Sequence, residues 1–476
     1  MNKALDTYRE YIKGKKLAVI GAGISNRPLL EWLYPMNPDI TVFDMMKEED
    51  ERLRKIKDHF DKQEIQLTWI TGDGYLDHLQ GFDIIFRTPK MHLDLPQLIR
   101  EKEKGAVISS EIALFAHLCP APIYGITGSD GKSTTTTLIS LILEAAGHKV
   151  FTGGNIGTPL IGRIGEVQAQ DRVVLELSSF QLMDMEEEID VAVITNVIPN
   201  HLDFHKDFDE YVEAKKNIFK YQGKDKILVL NAQDPMSVLF KRESKSELRL
   251  FNVRPTDRAS AWREEGKLWL SYPAGSPPRY IMDETQVLLP GSFNLENLLA
   301  AASATAGDVP LSAVKEVGES FRGVPHRMEL VGIHEGVRWF NSSVDSSPSR
   351  TIKTLSAFRE RNESLILITG GQDKNSDYTG LGRAIARTSN RIIISGENAG
   401  QIESILKEES ARAGVPYEDL SISRTDSYEE AVQLARTMAF PGDAVLFSPA
   451  GTSYDRYHHF EERGNHFRKM VEKLAE

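Results

Sequence analysis

Short apolar runs separated by amphipathic stretches recur along the whole 476-residue chain. Runs of this length predict buried strands, and their alternation with helical patterns predicts βαβ units around parallel sheets. In the first hundred residues the apolar runs lie at 17–20, 40–43 and 82–86. Later runs lie at 173–177, 191–195, 227–230, 365–368, 391–394 and 444–447.

This periodicity predicts an α/β protein with three successive domains. We expect a Rossmann-like domain over residues 1–98, a central domain over 99–326 and a second Rossmann-like α/β domain over 327–476. Between about 241 and 290 the pattern changes to short strands with Pro and Gly, such as 268–272, before an Ala-rich helix at 291–306. The central parallel sheet is therefore predicted to carry a small antiparallel addition.

Composition and charge narrow the class of protein. The chain is 41% hydrophobic and 26% charged, as is typical of soluble globular proteins, and its net charge of −12 argues against a nucleic-acid partner. Its one cysteine, Cys119, excludes an intrachain disulfide and a cysteine-based zinc site. Charges among the first ten residues, and the lack of an eighteen-residue apolar run, predict no signal peptide, no membrane insertion and a cytoplasmic location.

The segment 123–137 has the form of a phosphate-binding loop with one irregularity. Gly131, Lys132 and Ser133 end the pattern Gly-x-x-x-x-Gly-Lys-Ser/Thr, but its first Gly position holds Ile126. An apolar strand precedes the loop and a helical pattern starts at 134. This context predicts nucleotide binding by an unusual variant of the loop.

The chemistry expected of this loop follows from its glycines and its cation. Gly128 and Gly131 would let the backbone curl so that successive N–H groups face phosphate oxygens. Lys132 would reach the β- and γ-phosphates, and Ser133 would offer its hydroxyl to Mg²⁺.

Other polar residues follow the predicted strands and leave alternatives open. Glu176 could hold Mg²⁺ or face solvent at its strand end. His201, Asp203 and His205 could cluster around a metal or phosphate, although their spacing is poor for zinc. Lys215 lies on a predicted helix whose default is a solvated face. The Gly-x-Gly at 21–23 fits a dinucleotide turn, an anion-binding helix N-terminus or an ordinary βα turn.

Five motifs occur in an order that resembles the Mur ligase family, the ATP-dependent amide ligases of peptidoglycan precursor synthesis. They lie at 127–133, 176–181, 200–203, 291–297 and 325–327. The loop of that family reads Thr-Gly-x-x-Gly-Lys-Thr/Ser, so Ile126 is normal there. Segments 177–182 and 448–464 look most like the family member that adds D-glutamate.

The resemblance implies an ATP-dependent ligase that joins D-glutamate to UDP-N-acetylmuramoyl-L-alanine through an acyl phosphate, releasing ADP and phosphate. It implies ATP and Mg²⁺ as cofactors and small molecules as substrates. The sequence does not say whether the chain self-associates, and we expect a monomer. The three domains are then expected to bind the UDP-sugar, ATP and the amino acid in that order, with the central one a P-loop ATPase.

Site residues carried over by this resemblance fall into three groups. Expected ATP contacts are Gly128, Ser129, Asp130, Gly131, Lys132, Ser133, Thr134, Asn294, Asn297 and Arg327. Expected metal ligands are Ser133, Glu176, His201 and Lys215, the last as a carbamate; Lys132, His201 and Lys215 are the expected catalytic residues. Expected substrate contacts are Ile24, Ser25, Asp44, Asn155, Ser178 and Gln181 for the UDP-sugar, Lys374, Ser453 and Phe460 for D-glutamate, and Ser346 in place of a family Thr.

The chain also departs from the family pattern. Ser342 and Val344 replace a usual Asp and Lys, Phe293 replaces His, Asn200 replaces Asp, and residues 87–90 (Arg-Thr-Pro-Lys) lack the family's Ser-Pro-Gly. Two alternatives remain within this resemblance: another amino-acid specificity, including that of folylpolyglutamate synthase, or a catalytically silent nucleotide-binding relative. A nicotinamide-dependent oxidoreductase is a third alternative.

Overall fold

A computed structural model describes residues 2–37, 39–255, 258–374 and 376–475. These residues form a mixed α/β fold with three sheets, which confirms the predicted fold class. The chain divides into two compact units: Met1–Met282 with Asn297–Lys315, and Asp283–Glu296 with Glu316–Glu476. The strands and the 291–306 helix expected from the sequence all form, with ends that shift by at most two residues.

The first sheet has five parallel strands in the spatial order β3-β2-β1-β4-β5. Its strands are β1 Leu17–Ile20, β2 Ile40–Asp44, β3 Thr68–Thr71, β4 Ile84–Phe86 and β5 Val107–Ser109. The accompanying helices are α1 Lys3–Tyr11, α2 Asn26–Leu33, α3 Glu51–Lys62, α4 Pro96–Glu103 and α5 Glu111–Leu118.

The second sheet has nine strands: β6 Ile123–Thr127, β7 Val150–Gly154, β8 Arg172–Glu176, β9 Val191–Ile194, β10 Ile227–Asn231, β11 Glu247–Phe251, β12 Ala259–Glu264, β13 Lys267–Ser271 and β14 Arg279–Asp283. Their order is β14-β13-β12-β11-β10-β9-β6-β8-β7. Pairing is parallel from β7 to β12 and antiparallel between β12 and β13, as expected for the small addition. Its helices are α6 Lys132–Ala145, α7 Ser179–Leu182, α8 Phe208–Lys220, α9 Met236–Glu243 and α10 Ser292–Thr305.

The third sheet has the order β15-β16-β20-β17-β18-β19, with β15 and β16 antiparallel and the other pairs parallel. Its strands are β15 Glu329–His334, β16 Val337–Asn341, β17 Leu365–Thr369, β18 Arg391–Ile394, β19 Ser421–Arg424 and β20 Ala444–Phe447. The later helices are α11 Leu311–Ser320, α12 Pro348–Glu360, α13 Leu381–Ala386, α14 Ala399–Glu409, α15 Tyr428–Met438 and α16 Phe460–Glu472. Short 3₁₀ helices lie at Tyr75–His78, Ile161–Glu166, Glu284–Gln286, Ala411–Ala413, Tyr417–Asp419 and Lys473–Ala475.

The central strands are apolar because helices cover both faces of each parallel sheet. One core cluster of buried side chains runs through the first two sheets, from Leu5 to Leu250, which accounts for their membership of one compact unit. In the part of the chain that the structure describes, no helix is both long and apolar enough to cross a bilayer.

A buried ion pair joins the segment after β4 to the segment after α7. Arg87 is fully buried and makes two hydrogen bonds to the carboxylate of Asp184, at 2.7 and 2.6 Å. Its guanidinium also donates to the carbonyl of Phe180. A paired guanidinium can stay buried in this way because nearly all its donors are satisfied.

We expect Arg87→Met to lower the free energy of unfolding of the first unit by about 3–5 kcal/mol, because it leaves the Asp184 carboxylate buried without its partner. Chemical denaturation followed by tryptophan fluorescence measures the change. Arg9→Met is the matched control, since Arg9 pairs with Asp6 at 3.5 Å where both side chains are about half exposed. The control should lose less than about 1 kcal/mol, and an equally small loss in Arg87→Met would contradict the expectation.

Candidate active site

The loop between β6 and α6 depends on two glycines with positive φ. Gly128 has φ 152° and Gly131 has φ 81°. A Cβ atom on Gly128 would collide with the Thr195 side chain, and one on Gly131 with the amide of Asn297. Because Gly131 takes the left-handed conformation directly before Lys132, the helix begins at 132 and not at 134 as predicted.

The residues after β9 hold this loop in place. The Ser129 and Asp130 amides donate to the Asn196 carbonyl and to Asn196 Oδ1, both at 2.9 Å, and Thr195 Oγ1 donates to the Asp130 carbonyl at 2.5 Å. The prediction that successive loop amides face a phosphate is therefore wrong for Ser129 and Asp130, because Asn196 engages them. The donors that can serve an anion are those of the first helical turn, which includes Ser133 and Thr134.

Two lysine amines meet on one backbone carbonyl of the loop. Lys132 Nζ donates to the Gly128 carbonyl at 2.9 Å and to the Ser129 carbonyl at 3.0 Å. Lys215 Nζ, from α8, donates to the same Gly128 carbonyl at 2.8 Å and to Thr127 Oγ1 at 3.2 Å. The default of a solvated helix face is wrong for Lys215, whose side chain is 1% exposed.

Burial, together with the neighbouring Lys132 ammonium, holds the pKa of Lys215 well below its ordinary range. The carboxylates of Asp130 and Glu176 act in the opposite direction, but more weakly. Burial therefore shifts the balance at this position toward the neutral amine. A neutral amine is the nucleophilic form of lysine, and it is the form that can react with carbon dioxide.

Glu176 ends β8 beside the loop, in register with Ile126 of β6. The alternative of a solvent-facing side chain is wrong, because Glu176 is 1% exposed. Its Oε1 accepts a hydrogen bond from Asn155 Nδ2 at 2.7 Å, whereas Oε2 is buried without a hydrogen-bond partner. A buried carboxylate oxygen of this kind is suited to a cation.

The two histidines after β9, His201 and His205, lie in different surroundings. His201 is exposed, with its ring centroid 5.1 Å from that of Phe180, and partial desolvation by its neighbours, together with the nearby Lys132, lowers its pKa. It is thus neutral at neutral pH and able to act as a ligand. His205 turns into the core, where its Nε2 lies 2.9 Å from Ser179 Oγ, while Asp203 is exposed. The trio therefore does not form one metal site.

The described residues contain no ready-made cluster of three or more His, Cys, Asp or Glu side chains for a metal. Glu176 Oε2 is nevertheless the kind of oxygen ligand that Mg²⁺ prefers, and Ser133 stands at the start of α6 as expected. An ammonium at Lys215 would repel a dication, whereas a carbamate there would attract one. The site fits Mg²⁺ once Lys215 carries an anionic group.

The expected sugar-binding residues of the first sheet lie at its carboxyl edge. Ile24 is 77% exposed and Ser25 is half-buried at the start of α2. Asp44 is buried, and its carboxylate accepts the amides of Ala22 at 2.8 Å and Met46 at 2.9 Å. Asp44 therefore shapes the two loops that surround it.

Ser178 and Gln181 bond to each other as the capping box of α7. Asn297 is buried, and its Oδ1 accepts a hydrogen bond from Thr135 at 3.2 Å.

In the second unit, Asn294 donates to the Pro290 carbonyl at 2.6 Å, Arg327 is exposed and Ser346 is half-buried. Ser342 occupies the position of a usual family Asp, and the nearest acid in the chain is Asp345, three residues later. Asp345 is buried and accepts a hydrogen bond from Ser448 Oγ at 2.8 Å. Its burial raises the pKa of Asp345 above the usual range.

The expected D-glutamate contacts lie around a buried arginine that the motif comparison did not single out. Arg463 is 1% exposed and donates to the carbonyls of Ser343, Gly451 and Thr452. Ser453 is buried beside it and Phe460 begins the same helix as Arg463. The expected contact Lys374 is exposed, with its amine 4.5 Å from the ring centre of Tyr454.

Sequence reasoning also missed the role of Asn196, although its position directly after β9 gave the signal. The carboxyl end of β9 is adjacent to that of β6 in the sheet, so a side chain there reaches the loop.

We expect Gly131→Ala to weaken ATP binding at least about tenfold, because a left-handed L-residue costs roughly 1–2 kcal/mol and its Cβ would displace Asn297 or the loop. Titration with a fluorescent ATP analogue measures the affinity. Gly147→Ala is the matched control: Gly147 has φ 90°, follows the same helix and has open space around its Cβ position. Equal ATP affinity in the two variants would refute the expectation.

The Mur ligase middle domain family matches residues 126–305, and the family described as Mur ligase, glutamate ligase domain, matches residues 326–451. The UDP-N-acetylmuramoylalanine–D-glutamate ligase of Acetivibrio thermocellus is 43% identical over 474 residues, and that of Clostridium botulinum is 42% identical over 474 residues. Each match covers all of both chains.

Solved structures show the same fold at low identity. UDP-N-acetylmuramate–alanine ligase of Thermotoga maritima has a TM-score of 0.54 at 16% identity, covering 96% of this chain and 99% of its own. MurF of Acinetobacter baumannii has a TM-score of 0.56 at 16% identity, covering 83% and 92%. Together with the full-length relatives, these matches show that the chain belongs to the Mur ligase family.

Proposed function

We propose that this enzyme joins D-glutamate to UDP-N-acetylmuramoyl-L-alanine in an ATP-dependent reaction that forms an amide and releases ADP and phosphate. The observation that carries this proposal is the pair of amines on the Gly128 carbonyl, at the edge where β6, β8 and β9 end. The names of full-length relatives at 42–43% identity support D-glutamate as the amino acid.

We further infer that the three sequence segments divide the work. Residues 1–98 bind the UDP-sugar, residues 99–326 bind ATP and residues 327–476 bind the amino acid. The exposed Ile24 and the half-buried Ser25 support a ligand site in the first segment. In the last segment the buried Arg463 holds the loops at Ser343 and at Gly451 and Thr452, beside the expected contact Ser453.

In this proposal ATP is bound by charge and by backbone donors. The first turn of α6 presents amides and the positive end of the helix dipole to the phosphates, with Lys132 beside them. Mg²⁺ would be held by Ser133, Glu176, His201 and a carbamylated Lys215, and when bound it would neutralise phosphate charge and polarise phosphoryl oxygens.

The need for ATP follows from the chemistry of the acceptor. A carboxylate repels nucleophiles and has no good leaving group. Its oxygen attacks the γ-phosphorus, the bond to ADP breaks, and an acyl phosphate results. The amine of D-glutamate then attacks the acyl carbon, and collapse of the tetrahedral intermediate expels phosphate. The protein contributes mainly alignment and charge neutralisation.

Lys215 has a defined task in this scheme. Its buried, neutral amine adds carbon dioxide, and loss of one proton gives an anionic carbamate. This change converts a neutral amine into an anion that can bind Mg²⁺, next to the free Oε2 of Glu176.

Phosphate release measured with a panel of amino acids tests the proposed reaction. We expect turnover with D-glutamate and UDP-N-acetylmuramoyl-L-alanine together, and at least about 100-fold less with other amino acids, because unmatched polar groups in a binding site are costly. With an acceptor labelled by ¹⁸O in its carboxylate, one labelled oxygen should appear in the released phosphate. Preference for another amino acid, or unlabelled phosphate, would contradict the proposal.

Lys215→Ala should abolish turnover, with a fall of at least about 1,000-fold, because the anionic ligand is lost. Millimolar acetate or formate should restore part of the activity by supplying a carboxylate in the vacated space. Lys216→Ala is the matched control. Lys216 is the next residue of α8, and its amine forms ion pairs with Glu213 and Glu243 and not with the loop. Full turnover in Lys215→Ala without added anion would remove the carbamate from the scheme.

A further inference from the structure

The loop after β4 carries a lysine, Lys90, that has no part in the proposed function described above. Where the family pattern has Ser-Pro-Gly, this chain has Thr88, Pro89 and Lys90. The family's Gly, which has no side chain, is therefore replaced here by Lys90, whose side chain is long and cationic. Lys90 is exposed, and it forms no ion pair with any residue that the structure describes.

The backbone on both sides of Lys90 is fixed by the buried Arg87. Arg87 Nη1 donates to the carbonyl of Pro89 at 2.7 Å and to that of Met91 at 3.1 Å. The next residue, His92, stacks on Phe204 with ring centroids 3.8 Å apart. A guanidinium that is itself held by Asp184 therefore anchors the loop, so the direction in which the Lys90 side chain leaves the backbone is fixed.

That direction is toward the reaction centre. The Lys90 amine lies 5.9 Å from the centre of the Phe180 ring, and the His201 ring packs on the same Phe180 at 5.1 Å. Lys90, from the loop after β4 of the first sheet, and His201, from the segment after β9, thus lie against the same aromatic ring.

The same loop borders the expected sugar-binding turn. A Cβ atom on Gly21 would lie 3.5 Å from Thr88 Cβ, so the turn after β1 and the loop after β4 are in contact. The loop that carries Lys90 therefore contacts the turn that would hold the UDP-sugar, while the Lys90 amine approaches Phe180 of α7. The acceptor would extend from the sugar-binding turn toward the triphosphate loop, and the group at its end is a carboxylate.

We propose that Lys90 is a substrate-binding residue whose ammonium pairs with the terminal carboxylate of the acceptor and holds it beside His201 for phosphorylation. This inference rests on the proposed function, since it takes the acceptor from it. The contact with Phe180 keeps the amine in place in a solvated site, and the carboxylate replaces water around it. The triphosphate already has Lys132 and the first turn of α6 as partners.

The test compares Lys90→Met, Lys90→Arg and, as matched control, Lys102→Met, which removes an exposed lysine charge from α4 of the same segment. Lys90→Met should raise the KM for UDP-N-acetylmuramoyl-L-alanine about tenfold, the worth of one charge-assisted hydrogen bond. The KM values for ATP and D-glutamate should stay within about twofold, and Lys90→Arg should retain most of the acceptor affinity.

Calorimetric titration of the acceptor in the absence of ATP gives a second readout that does not need turnover, and the same tenfold loss is expected there. Unchanged acceptor affinity in Lys90→Met, or a loss that falls on ATP instead, would overturn the role of Lys90 while wild-type amide formation still stands. Acceptor binding without amide formation in the wild type would refute the proposed function and leave Lys90 to be judged by the titration.

Discussion

The structure depends most on one backbone oxygen, the Gly128 carbonyl, which accepts hydrogen bonds from Lys132 and Lys215 at once. Two amines on one oxygen lie within about 6 Å of each other, where two positive charges would repel by about 3 kcal/mol at an effective dielectric of 20. Lys215 is the more deeply buried, so it is the one whose charge is disfavoured. The constraint disfavours the charged form of Lys215 beside the loop, and the neutral amine is the form that the proposed carbamylation requires.

The surrounding fold serves to hold that arrangement. Parallel strands β6, β8 and β9 end together, which places the loop, Glu176 and Asn196 at one edge of the sheet. Asn196 ties down the loop from one side. From the other side, Arg87 and Asp184 fix the loop of the first sheet against α7. The first two sheets thereby share one core and belong to one compact unit.

The sequence predicted the parts of this structure that depend on local pattern. Short apolar runs located the strands, and the glycines at 128 and 131 located the loop, because both signals are contained within a few residues. The sequence did not predict contacts between distant residues. Helical periodicity alone made Lys215 a surface residue, since the sheet that buries it is formed by strands far away in the chain. The engagement of the Ser129 and Asp130 amides by Asn196 and the pairing of Arg87 with Asp184 were invisible for the same reason.

The state of Lys215 is the central claim, and ¹³C NMR of the protein equilibrated with ¹³C-bicarbonate tests it most directly. The account predicts a carbamate resonance in the wild-type enzyme that strengthens with Mg²⁺ and ATP and is absent from Lys215→Arg. A wild-type enzyme that turns over in the same buffer without any such resonance would show that Lys215 works as an amine, which would contradict the account.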